Sequence, residues 1–191
     1  MIQVFYCISG ERLDVTLYNY LLNKVPPVYQ EEIAQFRKWE DRQHRVLGKM
    51  LLITGLEILG ITGYSLNQLQ FTNLKRPYFN KLLDFNISHS GKYVVCAIST
   101  QAEIGVDVEE IKNIPVTDFT NEFSAEEMKS ILSSDYSLHS FYSLWTKKEA
   151  FLKAIGTGLH VPLNKVHVID NKICWEDREW FLTKLNFDKN Y

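Results

Sequence analysis

The stretch Trp145-Thr-Lys-Lys-Glu-Ala-Phe-Leu-Lys153 predicts a helix that carries a catalytic carboxylate. At 3.6 residues per turn, Glu149 and Lys153 lie on one face of this helix, one above the other. The apolar side chains gather on another face, which we expect to be buried: Leu144, Phe151, Leu152 and Ile155. Gly156 follows, where a helix C-terminus favours a residue that tolerates left-handed dihedral angles. Alone, Glu149 and Lys153 are also consistent with a simple ion pair, so a catalytic role requires partners from elsewhere in the chain.

The composition is that of a globular protein. The chain has 191 residues, of which 46% are hydrophobic, enough to bury a full core as one domain or two small ones. A net charge of -2 gives no general affinity for nucleic acid or anionic membrane. The most apolar stretch, residues 50–61, is too short and too polar to span a bilayer. The first residues do not resemble a signal peptide, and three widely spaced cysteines indicate buried thiols in a reducing compartment. We therefore expect a cytoplasmic protein with no nucleic-acid or membrane partner.

The N-terminal part of the chain combines strand and helix patterns. Residues 3–9 predict a strand, and residues 15–22 are undecided between a short helix and a strand. A helical pattern then runs from about residue 31 to residue 59, as one helix or as two, because Gly48 and Gly55 weaken its interior. Four basic residues lie on this segment, which predicts either a solvated face or phosphate binding: Arg37, Lys38, Arg42 and Arg45.

A polar motif precedes the most apolar strand pattern. Residues 92–99 are apolar on both faces and predict a central strand. Asn86-Ile-Ser-His-Ser-Gly91 predicts a polar turn leading into it, whose hydroxyl and imidazole groups can donate hydrogen bonds to a phosphate. His89 is also consistent with an ordinary turn residue. Upstream, Arg76-Pro77 predicts an extended dipeptide, because proline restricts the residue before it.

The stretch Ile104-Gly-Val-Asp-Val-Glu-Glu-Ile111 predicts a strand with two carboxylates on one face. Val106 and Val108 point one way on such a strand, and Asp107 and Glu109 point the other way. Two neighbouring carboxylates repel each other unless a cation lies between them, and oxygen ligands favour Mg²⁺ or Ca²⁺. The alternative is a strand with one solvated face.

The remaining C-terminal residues predict helices followed by short strands. Residues 117–138 have a helical pattern, with a capping box at Ser124 to Glu127. Three short strands are predicted after the helix that carries Glu149: residues 161–169, 172–175 and 180–187. We expect a division into an N-terminal half, 1–100, and a C-terminal half, 101–191.

Three of these stretches combine into one chemical hypothesis. Asp107, Glu109 and Glu149 offer three carboxylates to one hard cation, with Lys153 and His89 near it. Positive charge or donors for phosphate oxygens would come from Arg76, Ser88 and His89. This combination suits attack at a phosphoryl group of a nucleotide-like substrate.

The motifs resemble those of the 4′-phosphopantetheinyl transferases. Ile104-Gly-Val-Asp-Val-Glu109 and Trp145 to Lys153 are similar to the two signature motifs of that family. Arg76-Pro77 and Asn86 to Gly91 resemble two upstream motifs, in the same order. About 100 residues precede the first acidic motif. A preceding stretch of this length is similar to that of the larger, surfactin-synthetase-activating class of the family.

This resemblance implies a fold, a reaction and a set of roles. The implied fold is α+β: two similar α/β halves, each a small antiparallel sheet packed with helices, form a monomeric pseudo-dimer. The implied reaction moves phosphopantetheine from coenzyme A to a serine of an apo acyl or peptidyl carrier protein and releases 3′,5′-ADP. The implied roles are Mg²⁺ binding by Asp107, Glu109 and Glu149, proton removal by Glu149, pyrophosphate contact by Lys153, and coenzyme A contacts by Arg45, Arg76, Ser88 and His89.

One departure from the family pattern affects the substrate contacts. Lysines before the first long helix hold the coenzyme A 3′-phosphate in the larger class, whereas residues 25–36 here contain no lysine or arginine. Either Arg37, Lys38 or Arg42 replaces them, or the contact with the 3′-phosphate is weaker in this protein. Two rival hypotheses stay open from sequence: an Mg²⁺-dependent phosphohydrolase that uses the same acids on water, and a non-catalytic homologue that binds coenzyme A or a carrier protein.

Overall fold

The computed structural model describes residues 1–80 and 82–191, with only the backbone described at residue 159. Its strands are β1 (Ile2–Ile8), β2 (Gln70–Phe71), β3 (Pro77–Tyr78), β4 (Asp84–Ser90), β5 (Tyr93–Ser99), β6 (Lys172–Trp175) and β7 (Arg178–Phe181). The order β1-β5-β4 forms an antiparallel sheet, and β2-β3 and β6-β7 form two-stranded sheets. The predicted first strand and the predicted central strand are confirmed, since β5 lies between β1 and β4.

Within the described residues, five α-helices and four short 3₁₀ helices accompany these strands. The α-helices are α1 (Val15–Leu22), α2 (Pro27–Ala34), α3 (Trp39–Ile58), α4 (Ala125–Ser133) and α5 (Ser137–Ile155). The 3₁₀ helices are Leu66–Gln68, Val116–Glu122, Gly158–His160 and Leu163–Lys165. The undecided stretch 15–22 is a helix. The α+β class with small antiparallel sheets is confirmed. No helix of the described residues is long and apolar enough to cross a membrane.

Helix α3 packs closely against one face of the three-stranded sheet. A Cβ atom at Gly48 would lie 2.9 Å from Cγ2 of Ile87, and one at Gly55 would lie 2.7 Å from Cδ1 of Ile98. The glycines therefore permit close packing and do not break the helix. The break between α2 and α3 falls at residues 35–38 instead, so the expectation that the glycines weaken the helix enough to divide it is wrong.

The motif that contains His89 is a strand and not a turn, which corrects the prediction for residues 86–91. Its side chains alternate, with Phe85 and Ile87 packed in the core beneath α3. The polar residues 84, 86, 88 and 90 face the opposite side of the sheet. The turn follows them, at Gly91 and Lys92, where β4 reverses into β5.

Residues 104–111 are extended but form no strand in the described structure, contrary to the prediction. Their alternation is confirmed, since Val106 and Val108 are buried against Tyr93, Val95 and Ala97. Alternate backbone amides donate to side chains of β4 and not to its backbone: Ile104 N to Asp84 Oδ2 (2.8 Å), Val106 N to Asn86 Oδ1 (3.0 Å), Val108 N to Ser88 Oγ (3.3 Å) and Glu110 N to Ser90 Oγ (3.0 Å). This ladder of side-chain acceptors replaces a strand partner.

The C-terminal part is helical at its centre and irregular towards its end. Helix α5 ends at Gly156, whose φ is 73°, as predicted from the sequence, and the capping box of α4 is present. The strand predicted over 161–169 is wrong, because Leu163 and Val166 are buried three residues apart across a 3₁₀ turn. The strand predicted over 180–187 is also wrong in its bounds, since β7 ends at Phe181. Ile173 is buried within β6, and Cys174, which follows it, is exposed, so Cys174 is not the buried thiol that was expected.

Candidate active site

Three elements meet at the hydroxyl of Ser88. Its Oγ atom donates to Oδ1 of Asp107 at 3.0 Å and accepts from Nζ of Lys153 at 2.8 Å. The Lys153 ammonium also lies 2.6 Å from the same Asp107 oxygen. The Asp107 side chain is only 4% exposed. Ser88 of β4, Asp107 of the segment after β5 and Lys153 of α5 therefore form one hydrogen-bonded group. In the sequence they belong to three separate motifs.

A glycine lets the segment after β5 lie directly against α5. A Cβ atom at Gly105 would be 1.9 Å from the carbonyl oxygen of Ala150 and 2.7 Å from the backbone nitrogen of Ala154. Any side chain here would move the segment away from the helix. Gly105 thus allows Asp107 to reach Lys153.

Two acids beside this group, Glu109 and Glu149, have pKa values above the ordinary value of a glutamate. Burial raises the pKa of Glu109, the negative charge of Asp107 raises it further, and a hydrogen bond from Ser90 Oγ at 2.8 Å opposes the rise. Burial also raises the pKa of Glu149, and the charges of Asp107 and Glu109 add to this effect. The negative charge of Asp107 therefore disfavours the ionisation of both Glu109 and Glu149, as expected where a cation would relieve the repulsion.

The donor set fits a hard divalent cation in its chemistry. Asp107 Oδ2 is buried and accepts no hydrogen bond from any residue that the structure describes, which leaves an oxygen free for a ligand. Asp107, Glu109 and Glu149 supply oxygen donors only, as Mg²⁺ prefers. However, nowhere in residues 1–80 and 82–191 are three acidic, histidine or cysteine side chains gathered closely enough to hold a metal. The predicted three-carboxylate magnesium site stays a prediction.

The Lys153 ammonium forms an ion pair with Asp107 and not with Glu149, which lies one helical turn before it. Among the described residues, Glu149 has no ion-pair partner within 4.0 Å. The alternative of a simple ion pair between Glu149 and Lys153 is therefore wrong. Glu149 remains available to act on a substrate.

His89 lies beside the ladder and against α3. Its ring lies against that of His44 at a tilt of 35°, with 4.8 Å between ring centroids. Although His89 is an exposed residue, partial burial and the nearby charges of His44, Arg45 and Lys153 lower its pKa to about 4. His89 is therefore neutral at neutral pH, and its predicted phosphate contact would be a hydrogen bond and not an ion pair.

Arg76 is bound to protein groups where β4, the segment after β5 and α5 meet. Its Nη2 lies 2.5 Å from Asp84 Oδ2 and donates to the carbonyl of Ile104 at 3.2 Å. Its Nε donates to the carbonyl of Lys153 at 3.0 Å, and its side chain is 11% exposed. These contacts, which the sequence did not predict, tie β4, the acidic segment and α5 together. A coenzyme A contact by Arg76 stays a prediction.

Arg45 lies on α3 in a more open environment. Its guanidinium pairs with Glu32 at 3.4 Å and stacks over the ring of Phe36, 3.8 Å from the ring centroid. The Arg45 side chain is 35% exposed, so a ligand can reach it. Its predicted contact with coenzyme A likewise stays a prediction.

Comparison with known proteins accounts for this arrangement. Residues 103–186 match the model of the 4′-phosphopantetheinyl transferase superfamily, and residues 15–101 match that of a 4′-phosphopantetheinyl transferase N-terminal region. The chain belongs to the 4′-phosphopantetheinyl transferase superfamily. Ser88 thus lies in the stretch matched by one family model, and Asp107 and Lys153 lie in the stretch matched by the other.

Individual members of the superfamily are similar over most of the chain. The 4′-phosphopantetheinyl transferase gsp of Aneurinibacillus migulanus is 29% identical over 90% of this chain and 73% of its own length. The transferase Sfp of Bacillus subtilis strain 168 is 33% identical over 75% of this chain and 66% of its own length. A Haemophilus influenzae protein described as a candidate 4′-phosphopantetheinyl transferase is 32% identical over 83% of this chain and 72% of its own length. The chain therefore spans about two thirds to three quarters of the length of these relatives.

Sequence reasoning missed one buried lysine in this transferase-family chain. Lys148 is fully buried, and its Nζ lies 2.6 Å from Glu127 Oε2 and 3.1 Å from the carbonyl of Leu163. The signal was its spacing, because Lys148 follows Phe141 by seven residues and precedes Phe151 by three, in register with the buried stripe of α5. Lys148 holds α4 against α5 and does not belong to the site.

Proposed function

We propose that this protein is a holo-[acyl-carrier-protein] synthase that moves 4′-phosphopantetheine from coenzyme A to a serine hydroxyl of an apo acyl or peptidyl carrier protein, with Mg²⁺. The other product is 3′,5′-ADP. The observation that carries the proposal is the contact of Lys153 Nζ with both Ser88 Oγ and Asp107 Oδ1. It brings a cation, a hydroxyl and an acid from both family-matched stretches to one point.

Positive charge and donors at this point suit the pyrophosphate of coenzyme A. Lys153 supplies an ammonium, and Ser88 and neutral His89 supply hydrogen-bond donors. Ser88 would exchange its bond to Asp107 for one to a phosphate oxygen. Arg45 is partly exposed on α3 and would contact the nucleotide end of the substrate, as the family resemblance implies.

Glu149 is the best candidate for the base that takes the serine proton. Among the described residues its carboxylate has no ion-pair partner within 4.0 Å, so it is free to accept a proton, and a general base contributes about 10²–10⁴-fold to the rate. Asp107, Glu109 and Glu149 would hold the metal. When bound, Mg²⁺ supplies positive charge that stabilises the phosphoryl oxygens and the leaving group.

Several coarser expectations belong to the same proposal. We place the boundary between the halves at about residue 100 and expect a monomer, which light scattering of the purified chain tests. Free cysteines at positions 7, 96 and 174 suit a reducing compartment, so we place the protein in the cytoplasm.

Mass spectrometry of apo carriers tests the proposed reaction. Purified fatty-acid, polyketide and peptide carriers are incubated separately with the protein, coenzyme A and Mg²⁺. The proposal requires at least one carrier to gain phosphopantetheine, while Asp107→Ala, measured in parallel, gives no product. Release of 3′,5′-ADP without any carrier would instead favour the phosphohydrolase.

A further inference from the structure

We propose that Ser90 is a positioning residue that holds Glu109 for the metal; this inference rests on the proposed function. The Ser90 hydroxyl donates to Glu109 Oε2 at 2.8 Å and accepts from the Glu110 backbone N–H at 3.0 Å. One hydroxyl thus fixes both the carboxylate and the backbone that follows it. None of the roles implied by the sequence motifs falls on Ser90.

Ser90 differs from the residues of the ladder that contact the backbone of the segment but none of the candidate acids. Asn86 accepts from the Val106 amide and is bound to none of the three candidate acids, and Asp84 is bound to Arg76. Ser88 and Ser90 both accept a backbone amide and also donate to an acid, Asp107 and Glu109 respectively. The two serines are therefore equivalent in geometry, one for each acid of the segment.

The hydrogen bond has a clear physical consequence. A free glutamate side chain has many rotamers, and fixing it in one of them costs conformational entropy. Ser90 restrains Glu109 before any ligand arrives, so less of this cost remains for metal binding. Partners of metal-binding carboxylates typically change metal affinity by about 10–100-fold when they are removed.

Calorimetric titration with Mn²⁺, without coenzyme A or carrier, tests the inference directly. Ser90→Ala should weaken Mn²⁺ binding by about tenfold or more, whereas Ser90→Thr, which keeps the hydroxyl, should stay within about threefold of wild type. Asn86→Ala is the matched control, because it removes one rung of the ladder without touching a candidate acid. Melting temperatures measured in parallel identify any variant that is not folded. If Ser90→Ala is not folded, Ser90→Cys replaces it, because a thiol of similar size is a weaker hydrogen-bond donor and should also weaken Mn²⁺ binding relative to Ser90→Thr.

A double-mutant cycle with Glu109→Ala shows whether Ser90 acts through Glu109. The effect of Ser90→Ala on Mn²⁺ affinity should disappear when Glu109 is already alanine. Wild-type affinity in Ser90→Ala, with weakened binding in Glu109→Ala, would overturn the role of Ser90 alone. The role of Ser90 would also be overturned if Ser90→Ala weakened Mn²⁺ binding equally in the wild-type protein and in Glu109→Ala. Wild-type affinity in Glu109→Ala would overturn the metal role of Glu109 as well. Failure of the transfer reaction is detected separately, by the carrier mass.

Discussion

Lys153 Nζ lies 2.6 Å from Asp107 Oδ1 and joins α5 to the segment that follows β5. The lysine side chain is 29% exposed, and the aspartate side chain is 4% exposed. A carboxylate this deeply buried depends on its partners, because removing one leaves a poorly solvated charge. The pair therefore stabilises the fold and holds both residues in the candidate site.

Replacement of Lys153 should destabilise the protein. Lys153→Ala should lower the free energy of unfolding by about 1–3 kcal/mol, because the Asp107 carboxylate loses its ammonium partner. Urea denaturation measures the change. Lys172→Ala is the control, since its pair with Glu179 is 3.5 Å long and about half exposed, and it should cost below about 1 kcal/mol. Equal, small losses in the two variants would contradict the account.

Replacement of Arg76 should affect folding before it affects substrate binding. Arg76→Ala leaves Asp84 and two backbone carbonyls without their donor, and should cost about 3–5 kcal/mol. Arg76→Lys should recover little of this, because an ammonium lacks the planar fork that reaches three acceptors. Urea denaturation and the KM for coenzyme A are measured on the same samples. A fully stable Arg76→Ala variant with a raised KM would show that Arg76 binds phosphate and does not brace the fold.

The histidine pair predicts an acid-dependent loss of stability. The pKa of His89 is lowered to about 4, and burial also lowers that of His44, so protons bind preferentially to the unfolded chain. Stability from His89 is present above its unfolded pKa of about 6.5 and is lost as pH falls towards 4. The raised pKa values of Glu109 and Glu149 act in the opposite direction, so the comparison must be between variants.

His89→Gln should flatten the fall in melting temperature between about pH 6.5 and 4. The variant lacks the imidazole that takes up a proton in the unfolded chain and so destabilises the folded state at low pH. The exposed His139 on α5 provides the control, and His139→Gln should leave the slope unchanged. Parallel curves for wild type and His89→Gln would show that His89 is not held neutral by the fold.

Local patterns were sufficient to predict the central features of the fold. Helix α5 was predicted because its apolar spacing and the following glycine are signals within one segment. The positions of Asp107 and Glu109 on one face followed from alternation, which holds for any extended chain. Strand β4 was missed although its polar residues alternate at 84, 86, 88 and 90, because the hydroxyls and the glycine suggested a turn.

Long-range partners could not be predicted in the same way. Residues 104–111 have the pattern of a strand, but whether an extended segment pairs through backbone or side chains depends on the neighbour it meets. The position of Arg76 likewise depends on Asp84, Ile104 and Lys153, which come together only after folding. The sequence therefore predicted the acids and basic residues of the candidate site, but not which of them would contact each other.

The rate of single-turnover transfer to an apo carrier tests the central claim most directly, by comparing wild type with Glu149→Gln at saturating Mg²⁺. Glutamine keeps the size and one oxygen of the side chain but cannot take a proton. We expect the rate to fall by about 10²–10⁴-fold, while coenzyme A binding stays within about tenfold of wild type. Transfer at the wild-type rate would remove Glu149 from the chemistry and contradict the account.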